Sequence, residues 1–256
     1  MAAPDKALEL ERLHQAPEIL RLVNVWDAVS AKTVAALPET KAIATAGHSI
    51  AASYGYEDGG MPLELALAGA RTVAEAVDLP VTADLDDGYD SPGETIRRAI
   101  GFGIAGANVE DRLRPLEESV ARVRAIVEAA EQEGVRFQLN ARTDAFVRGG
   151  DRPIDDIIAD AIERGRAFLA EGAALVFVPG AITREHVERL VEGLGQGKLS
   201  VIGLPGALPA AEYESLGVAR ITYGPLTQRV ALRALRDLAS DLYDGGVIPE
   251  DTPALN

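Results

Sequence analysis

The feature that most constrains this chain is a repeated two-beat pattern: a short apolar run of β-forming residues, then a longer stretch of helical period. Eight such runs occur, at 21–25, 41–46, 80–84, 104–110, 136–141, 174–178, 199–203 and 218–223. They are apolar at successive positions, as strands covered on both faces in a parallel sheet must be. Helical stretches follow them at 28–37, 62–78, 92–102, 115–133, 153–171, 183–194, 209–216 and 225–243. In 115–133, Leu116, Val120, Val123, Val127 and Ala130 lie four, three, four and three apart, which is one face of a helix. Pro115 suits a first turn, Glu117 and Glu118 suit the positive end of the helix dipole, and Gly134 ends the element. Eight such units without a strand–strand hairpin predict an α/β fold, a single (β/α)₈ TIM barrel over residues 1–244. A doubly wound open sheet is the alternative, but no glycine fingerprint follows the first strand. The segment GGVIPEDTPALN (245–256) reads as a loose or partner-binding tail.

Composition narrows the chemistry. The chain has no cysteine, which excludes disulfides, thiolate metal sites and a cysteine nucleophile. Its net charge of −15 argues against nucleic acid and anionic membrane as partners. An anionic substrate is repelled too, unless a bound cation reverses the local field. No stretch of about 18 apolar residues is present to span a bilayer. The charged opening MAAPDKALELERLHQ is not expected to act as an export signal, so the expected location is cytoplasmic.

In a (β/α)₈ barrel the active site lies at the C-terminal ends of the strands. The first strand delivers Trp26 and Asp27 there, and the second Thr45, Ala46, Gly47 and His48. The third delivers Asp84, Asp86 and Asp87, the fourth Asn108, Glu110 and Asp111, and the fifth Asn140, Arg142 and Asp144. Carboxylates crowded into one hollow repel each other unless a cation bridges them. Hard oxygen donors without cysteine suit Mg²⁺ or Mn²⁺, which points to Asp84, Asp86 and Glu110 as metal ligands. Arg142, on the next strand, can grip a carboxylate with its two-pronged guanidinium. Plainer roles compete: strand-end acids cap helices or pair with arginines, Trp26 can pack the rim, and His48 can be a satisfied loop residue. His14 and His186 fall on helical stretches and are expected to face solvent.

At these residues the chain resembles the isocitrate lyase / phosphoenolpyruvate mutase superfamily. The matching stretches are NVWDAVSA (24–31), SYGYEDGG (53–60), ADLDDGYD (83–90), GANVEDR (106–112), NARTDAF (140–146) and GVARITYGP (217–225), in the family's order. The resemblance implies Mg²⁺ held by Asp84, Asp86 and Glu110, partly through water, with Asp58 a further acid beside it. It implies a substrate carboxylate on Thr45, Ala46 and Gly47, with Arg142 touching the substrate and Trp26 packed over the site. The candidate catalytic residues are thus Arg142, Glu110 and Asp58. The candidate substrate contacts are Trp26, Thr45, Ala46, Gly47, His48 and Arg142. A homodimer or homotetramer with the eighth helix swapped between partner barrels is also implied.

The chain departs from the family in its acid/base half. The lyases' Lys-Lys-Cys-Gly-His loop after strand four is replaced by EDRLRPLEES (110–119). The lysine and asparagine that the mutases and phosphonopyruvate hydrolases use in that loop are missing as well. Where the lyases place a glutamate after strand six, the chain reads VFVPGA (176–181), and Ser200 stands for an asparagine common after strand seven. The expected function is a Mg²⁺-dependent lyase or decarboxylase acting on an oxaloacetate-like α-keto acid through an enolate. The alternatives are a phosphonopyruvate hydrolase or phosphoenolpyruvate mutase-like activity, and a non-catalytic keto-acid-binding protein. A Schiff-base aldolase would need a lysine at a strand end, and Lys32, Lys41 and Lys198 are not at one.

Overall fold

The computed structural model of the chain describes residues 3–180 and 183–254. The chain starts with α1 (Ala3–His14) and a strand pass in two pieces, β1 (Leu20–Leu22) and β2 (Asn24–Val25). There follow α2 (Ala28–Ala35), β3 (Ile43–Thr45), α3 (Gly47–Ser53), α4 (Leu63–Ala76), β4 (Val81–Asp84) and α5 (Pro92–Gly101). The middle holds β5 (Gly106–Glu110), α6 (Leu116–Gln132), β6 (Gln138–Arg142), α7 (Ile154–Ala170) and β7 (Leu175–Phe177). Last come α8 (Arg184–Leu194), β8 (Leu199–Ile202), α9 (Ala210–Ser215), β9 (Arg220–Thr222) and α10 (Leu226–Tyr243). All strand pairings are parallel, in the order β1-β9-β8-β7-β6-β5-β4-β3-β2. Because β1 and β2 are one pass parted only by Val23, this sheet closes on itself. The chain is a (β/α)₈ barrel whose first strand is broken at Val23.

Two helices lie outside the expected rhythm. α1 buries only Lys6, Ala7, Leu10 and His14, too few apolar residues to print a helical stripe. α3 is seven residues of mostly small side chains, GHSIAAS, and follows β3 at once. In α6 the buried stripe runs Ser119, Val123, Ile126 and Ala130, with Val120 and Val127 only partly covered, so the helix is turned slightly from the expected face. No described helix is long and apolar enough to cross a membrane. The described tail residues 245–254 carry no helix or strand, and residues 255 and 256 lie outside the described part.

Outward-facing strand residues such as Ala107, Leu139, Val176 and Val201 pack beneath the helices. The barrel interior is polar instead. In register, Asn108 faces Asn140 and Glu110 faces Arg142. Asn140 Nδ2 donates to Asn108 Oδ1 (2.7 Å) and to Ser200 Oγ (3.2 Å), and Arg220 Nη2 donates to Asn108 Oδ1 (3.2 Å). Ser200 is therefore fully buried inside β8 rather than at the strand exit where the family's asparagine was expected, because Ile202 takes the exit position of that face.

His14 and His186 correct the expectation that both face solvent. His186 is half-buried against Phe146, with ring centroids 5.6 Å apart. His14 is buried beneath the barrel, its Nδ1 3.3 Å from Gln138 Oε1. Gln138 Nε2 donates to Arg136 O, so its amide oxygen is the end turned to His14, and Nδ1 is the donor. Burial, reinforced by nearby Arg220, pushes the His14 imidazole down to about 3. The folded chain keeps His14 neutral, whereas the unfolded chain protonates it below about 6.5. Its contribution to stability is therefore present above pH 6.5 and is lost as pH falls toward 3. Between pH 6.5 and 5 this loss should be roughly 1.5 kcal/mol. Urea unfolding across that window should show the slope, and His14→Leu should flatten it. Equal slopes in the two proteins would remove His14 as the cause.

Candidate active site

The C-terminal ends of the strands open onto a cavity of about 450 Å³. Asp84, Asp86, Glu110 and Arg142 line it, with His48 and Asp58 on one side and Val147, Arg148 and Pro179 on another. A cavity of similar size, about 470 Å³, lies at the opposite end of the barrel beside His14 and Lys198, but no group of carboxylates converges there. Chemistry, not size, distinguishes the two.

Asp84 closes β4, half-buried, and faces the cavity. Its Oδ2 accepts the Gly47 N–H at 2.9 Å, and its own N–H donates to Thr45 Oγ1 at 2.9 Å. A side chain at position 47 would bring a Cβ within 3.2 Å of that carboxylate oxygen, so glycine permits the close approach. Burial, and then the charge of Asp86, push Asp84 up to about 7, against the opposing pull of Arg142 and the Gly47 N–H. Burial also raises Asp86, whose Oδ2 accepts the Tyr89 hydroxyl at 2.9 Å. Burial raises Glu110, opposed by Arg142, whose Nη1 is 2.9 Å from Glu110 Oε2. Burial works against the Arg142 charge, but Glu110, Asp144 and Asp84 together outweigh it and hold the guanidinium above its usual range.

Two strained loops shape this floor. Among the described residues the only non-glycine residues at positive φ are Asp86, Tyr89, Arg112 and Leu113, all directly after β4 or β5. Such backbone costs on the order of 1–3 kcal/mol per residue and survives only where the surroundings over-determine it. Here Asp111 Oδ1 accepts the N–H groups of Leu113 and Asp144, and Arg164 Nη1 reaches Asp111 Oδ2 and Arg114 O. Arg122 Nη2 donates to the carbonyls of Asp87 and Tyr89. Arg114 pairs with Asp87, and with Arg112 it holds that carboxyl below the usual range against the effect of burial. The link from β5 to α6 is thus a clamped five-residue turn, 111–115, rather than a long gating loop.

The cavity gathers Asp58, Asp84, Asp86, Glu110, Arg142 and His48 from the sequence-derived candidates, with His48 Nδ1 3.4 Å from Asp58 Oδ2. Thr45, Ala46 and Gly47 are placed differently from the expected carboxylate cradle. They are buried and do not line the cavity; Thr45 and Gly47 serve Asp84 instead. Trp26 packs with Leu65 and Tyr89 on the cluster of Ile50, Ala51, Met61 and Ala66, and lines a separate apolar groove with Val29 and Val34. Through Ile50 and Ala51 it packs on the cluster that α3 helps to form. Of the expected strand-six stretch, Phe177 and Pro179 line the cavity, while Ala181 lies outside the described residues. Sequence reasoning missed Asn24, whose Oδ1 accepts the N–H groups of Tyr223 and Gly224 and so ties the first strand to the last. It also missed the cavity-lining Arg112 and Arg148.

The donor set suits a hard divalent cation. Asp84 and Asp86 are adjacent acids, and among the described residues neither has an arginine or lysine ion pair. No three Asp, Glu or His groups among the described residues come close enough to enclose an ion directly. Mg²⁺ keeps several waters and takes only one or two carboxylates, so Asp84 and Asp86 could suffice to hold it.

A phosphoenolpyruvate phosphomutase family model matches residues 10–243. The chain is 29% identical to 2-methylisocitrate lyase of Escherichia coli (strain K12), covering 94% of this chain and 84% of that protein. It is 27% identical to 2,3-dimethylmalate lyase of Eubacterium barkeri, covering 91% and 84%. The crystal structure of oxaloacetate acetylhydrolase superposes with a TM-score of 0.86 at 27% identity, covering 97% of this chain and 91% of that one. With its fold, strand-end carboxylates and full-length match in agreement, the chain belongs to the phosphoenolpyruvate phosphomutase family of the phosphoenolpyruvate mutase/isocitrate lyase superfamily.

Proposed function

We propose that the chain is a Mg²⁺- or Mn²⁺-dependent carbon–carbon lyase or decarboxylase acting on an oxaloacetate-like α-keto acid. The observation that carries this reading is the pair Asp84 and Asp86, neither in an ion pair with arginine or lysine among the described residues, beside Arg142 in one cavity. Asp84 would hold the ion, with Asp86, Glu110 and Asp58 around it through water. When bound there, the cation supplies positive charge for the keto and carboxylate oxygens and for the enolate that bond cleavage leaves. The lyase names among the relatives, and the oxaloacetate in the name of one structural neighbour, support the reaction class.

The chain's own residues supply the rest. Arg142 is fixed by Glu110 and by Asp144, whose Oδ1 accepts its Nε at 2.7 Å, and it offers its remaining nitrogen to a substrate carboxylate. Decarboxylation needs no base to begin: the bond to the leaving carboxylate breaks and its electron pair enters the keto group. A proton must then return to carbon. The Tyr89 hydroxyl is committed to Asp86 and its ionisation is pushed up by burial, so it is a poor donor. His48, half-exposed beside Asp58, or water is left to supply it.

Oxalate, an enolate mimic, tests the reading by calorimetry. It should bind in the presence of Mg²⁺ and not in EDTA. Arg142→Lys keeps the charge but loses the planar guanidinium that spans Glu110, Asp144 and the substrate at once. Oxalate affinity should then fall roughly tenfold, about 1.4 kcal/mol. Equal affinity in the variant would remove Arg142 from the site. The clamped turn 111–115 favours a second reading, a keto-acid-binding protein without turnover, since it bears no lysine or cysteine.

The reading extends to assembly. α10 is exposed over most of its length, including Val230, Leu232 and Leu235. A second copy of the chain, in a dimer or tetramer, would cover those residues. A monomer in sedimentation at micromolar concentration would contradict this.

A further inference from the structure

We propose that Arg148 holds a second carboxylate of the substrate, so that the cavity selects dicarboxylic α-keto acids over monocarboxylic ones; this rests on the reading of the site given above. Asp144, fully buried, is the pivot. Its Oδ1 accepts Arg142 Nε at 2.7 Å and its Oδ2 accepts Arg148 Nε at 3.1 Å. One carboxylate therefore orients two guanidiniums, one on the cavity floor and one on its wall. The Asp144 carbonyl also accepts the Arg148 N–H at 2.8 Å, so backbone and side chain of Arg148 are set by the same residue. The next position is packed down as well: a Cβ on Gly149 would come within 2.6 Å of Ile157 Cδ1 and 2.7 Å of Ala145 O. The turn that carries Arg148 is thus built, not a loose rim.

The other basic groups lining the cavity have closer carboxylate company. Arg112 lies between Glu110 and Asp87, His48 beside Asp58, and Arg142 between Glu110 and Asp144. Arg148 has only its half share of Asp144. Among the described residues its two terminal nitrogens make no hydrogen bond to protein, and the side chain is 51% exposed. A guanidinium held at one edge, with its far edge open to a cavity, presents the paired donors that a carboxylate accepts. With the reacting end of the substrate on the floor at Arg142, a distal carboxylate meets the open edge of Arg148 on the wall.

Calorimetry of the Mg²⁺-loaded protein with three unreactive acids tests this. Oxalate occupies the floor alone, lactate is a 2-hydroxy acid without a distal carboxylate, and malate adds that carboxylate to the same head. The wild type should bind malate at least about tenfold more tightly than lactate. Arg148→Gln should erase that preference and leave oxalate and lactate unchanged, and Arg148→Lys should restore part of it. A wild type that does not prefer malate would overturn the inference while leaving the site reading intact. A uniform loss for all three acids in Arg148→Gln would reduce Arg148 to a structural role. Failure of the wild type to bind oxalate would overturn the site reading, and the inference with it.

Discussion

Replacing Asp84 with alanine is expected to abolish tight Mg²⁺ or Mn²⁺ binding, by about a hundredfold or more, and to leave the barrel folded. Asp84 is half-buried at the end of β4, where burial and the Asp86 charge both oppose its ionised form. A cation is what makes two such acids tolerable side by side, so removing one takes away the main ligand. In the metal-free protein the same change also relieves repulsion. Its direct cost is the Gly47 N–H bond, about 1 kcal/mol. Unfolding measured in EDTA should therefore shift little, while calorimetry with Mn²⁺ loses its signal. Asp86→Ala should behave alike. Unchanged Mn²⁺ binding in both variants would show that the ion belongs elsewhere.

Asp144→Ala should have the largest effect on stability. The side chain is fully buried and is shared by Arg142, itself largely enclosed, and Arg148. Truncation leaves the Arg142 charge with Glu110 as its remaining ion-pair partner, and removing one partner of a buried pair costs about 3–5 kcal/mol. Oxalate binding should fall with it, because the floor guanidinium loses one of its two fixed points. The backbone N–H of Asp144 still reaches Asp111, so the strand exit itself persists. Urea unfolding of the variant checks the size, and a loss below about 1 kcal/mol would show that Asp144 is not the pivot described here.

The barrel was legible because its signal is coarse. Strands buried on both faces are written as apolar runs, and the helices between them are amphipathic, so element order survives errors at every boundary. The break at Val23 was not legible, since it comes from the strand turning between two neighbours, β9 and β3, that lie far apart in sequence. α3 was missed because GHSIAAS has no apolar stripe; it forms where it does at the exit of β3, handing the Gly47 N–H to Asp84. The acids of the site could be read from the strand ends. Their partners could not: Arg164 and Arg122 reach the loops from the helices α7 and α6, and Arg220 reaches Asn108 from the last strand. Thr45 and Gly47 show the same limit. A strand end says which residues approach the site, but hydrogen bonding decides whether they face the substrate or support a residue that does.

One assay bears most directly on the account: turnover of oxaloacetate, isocitrate, methylisocitrate and phosphoenolpyruvate, each with Mg²⁺ and with EDTA. The turn 111–115 holds no lysine, cysteine or histidine to act as acid or base. General acid help is typically worth about 10²–10⁴-fold, so cleavage should be slow. Oxaloacetate should be lost in a Mg²⁺-dependent way above its spontaneous rate, the loss should be abolished by EDTA, and action on the other three should be negligible. Rapid isocitrate cleavage, or oxaloacetate loss that EDTA leaves untouched, would contradict this.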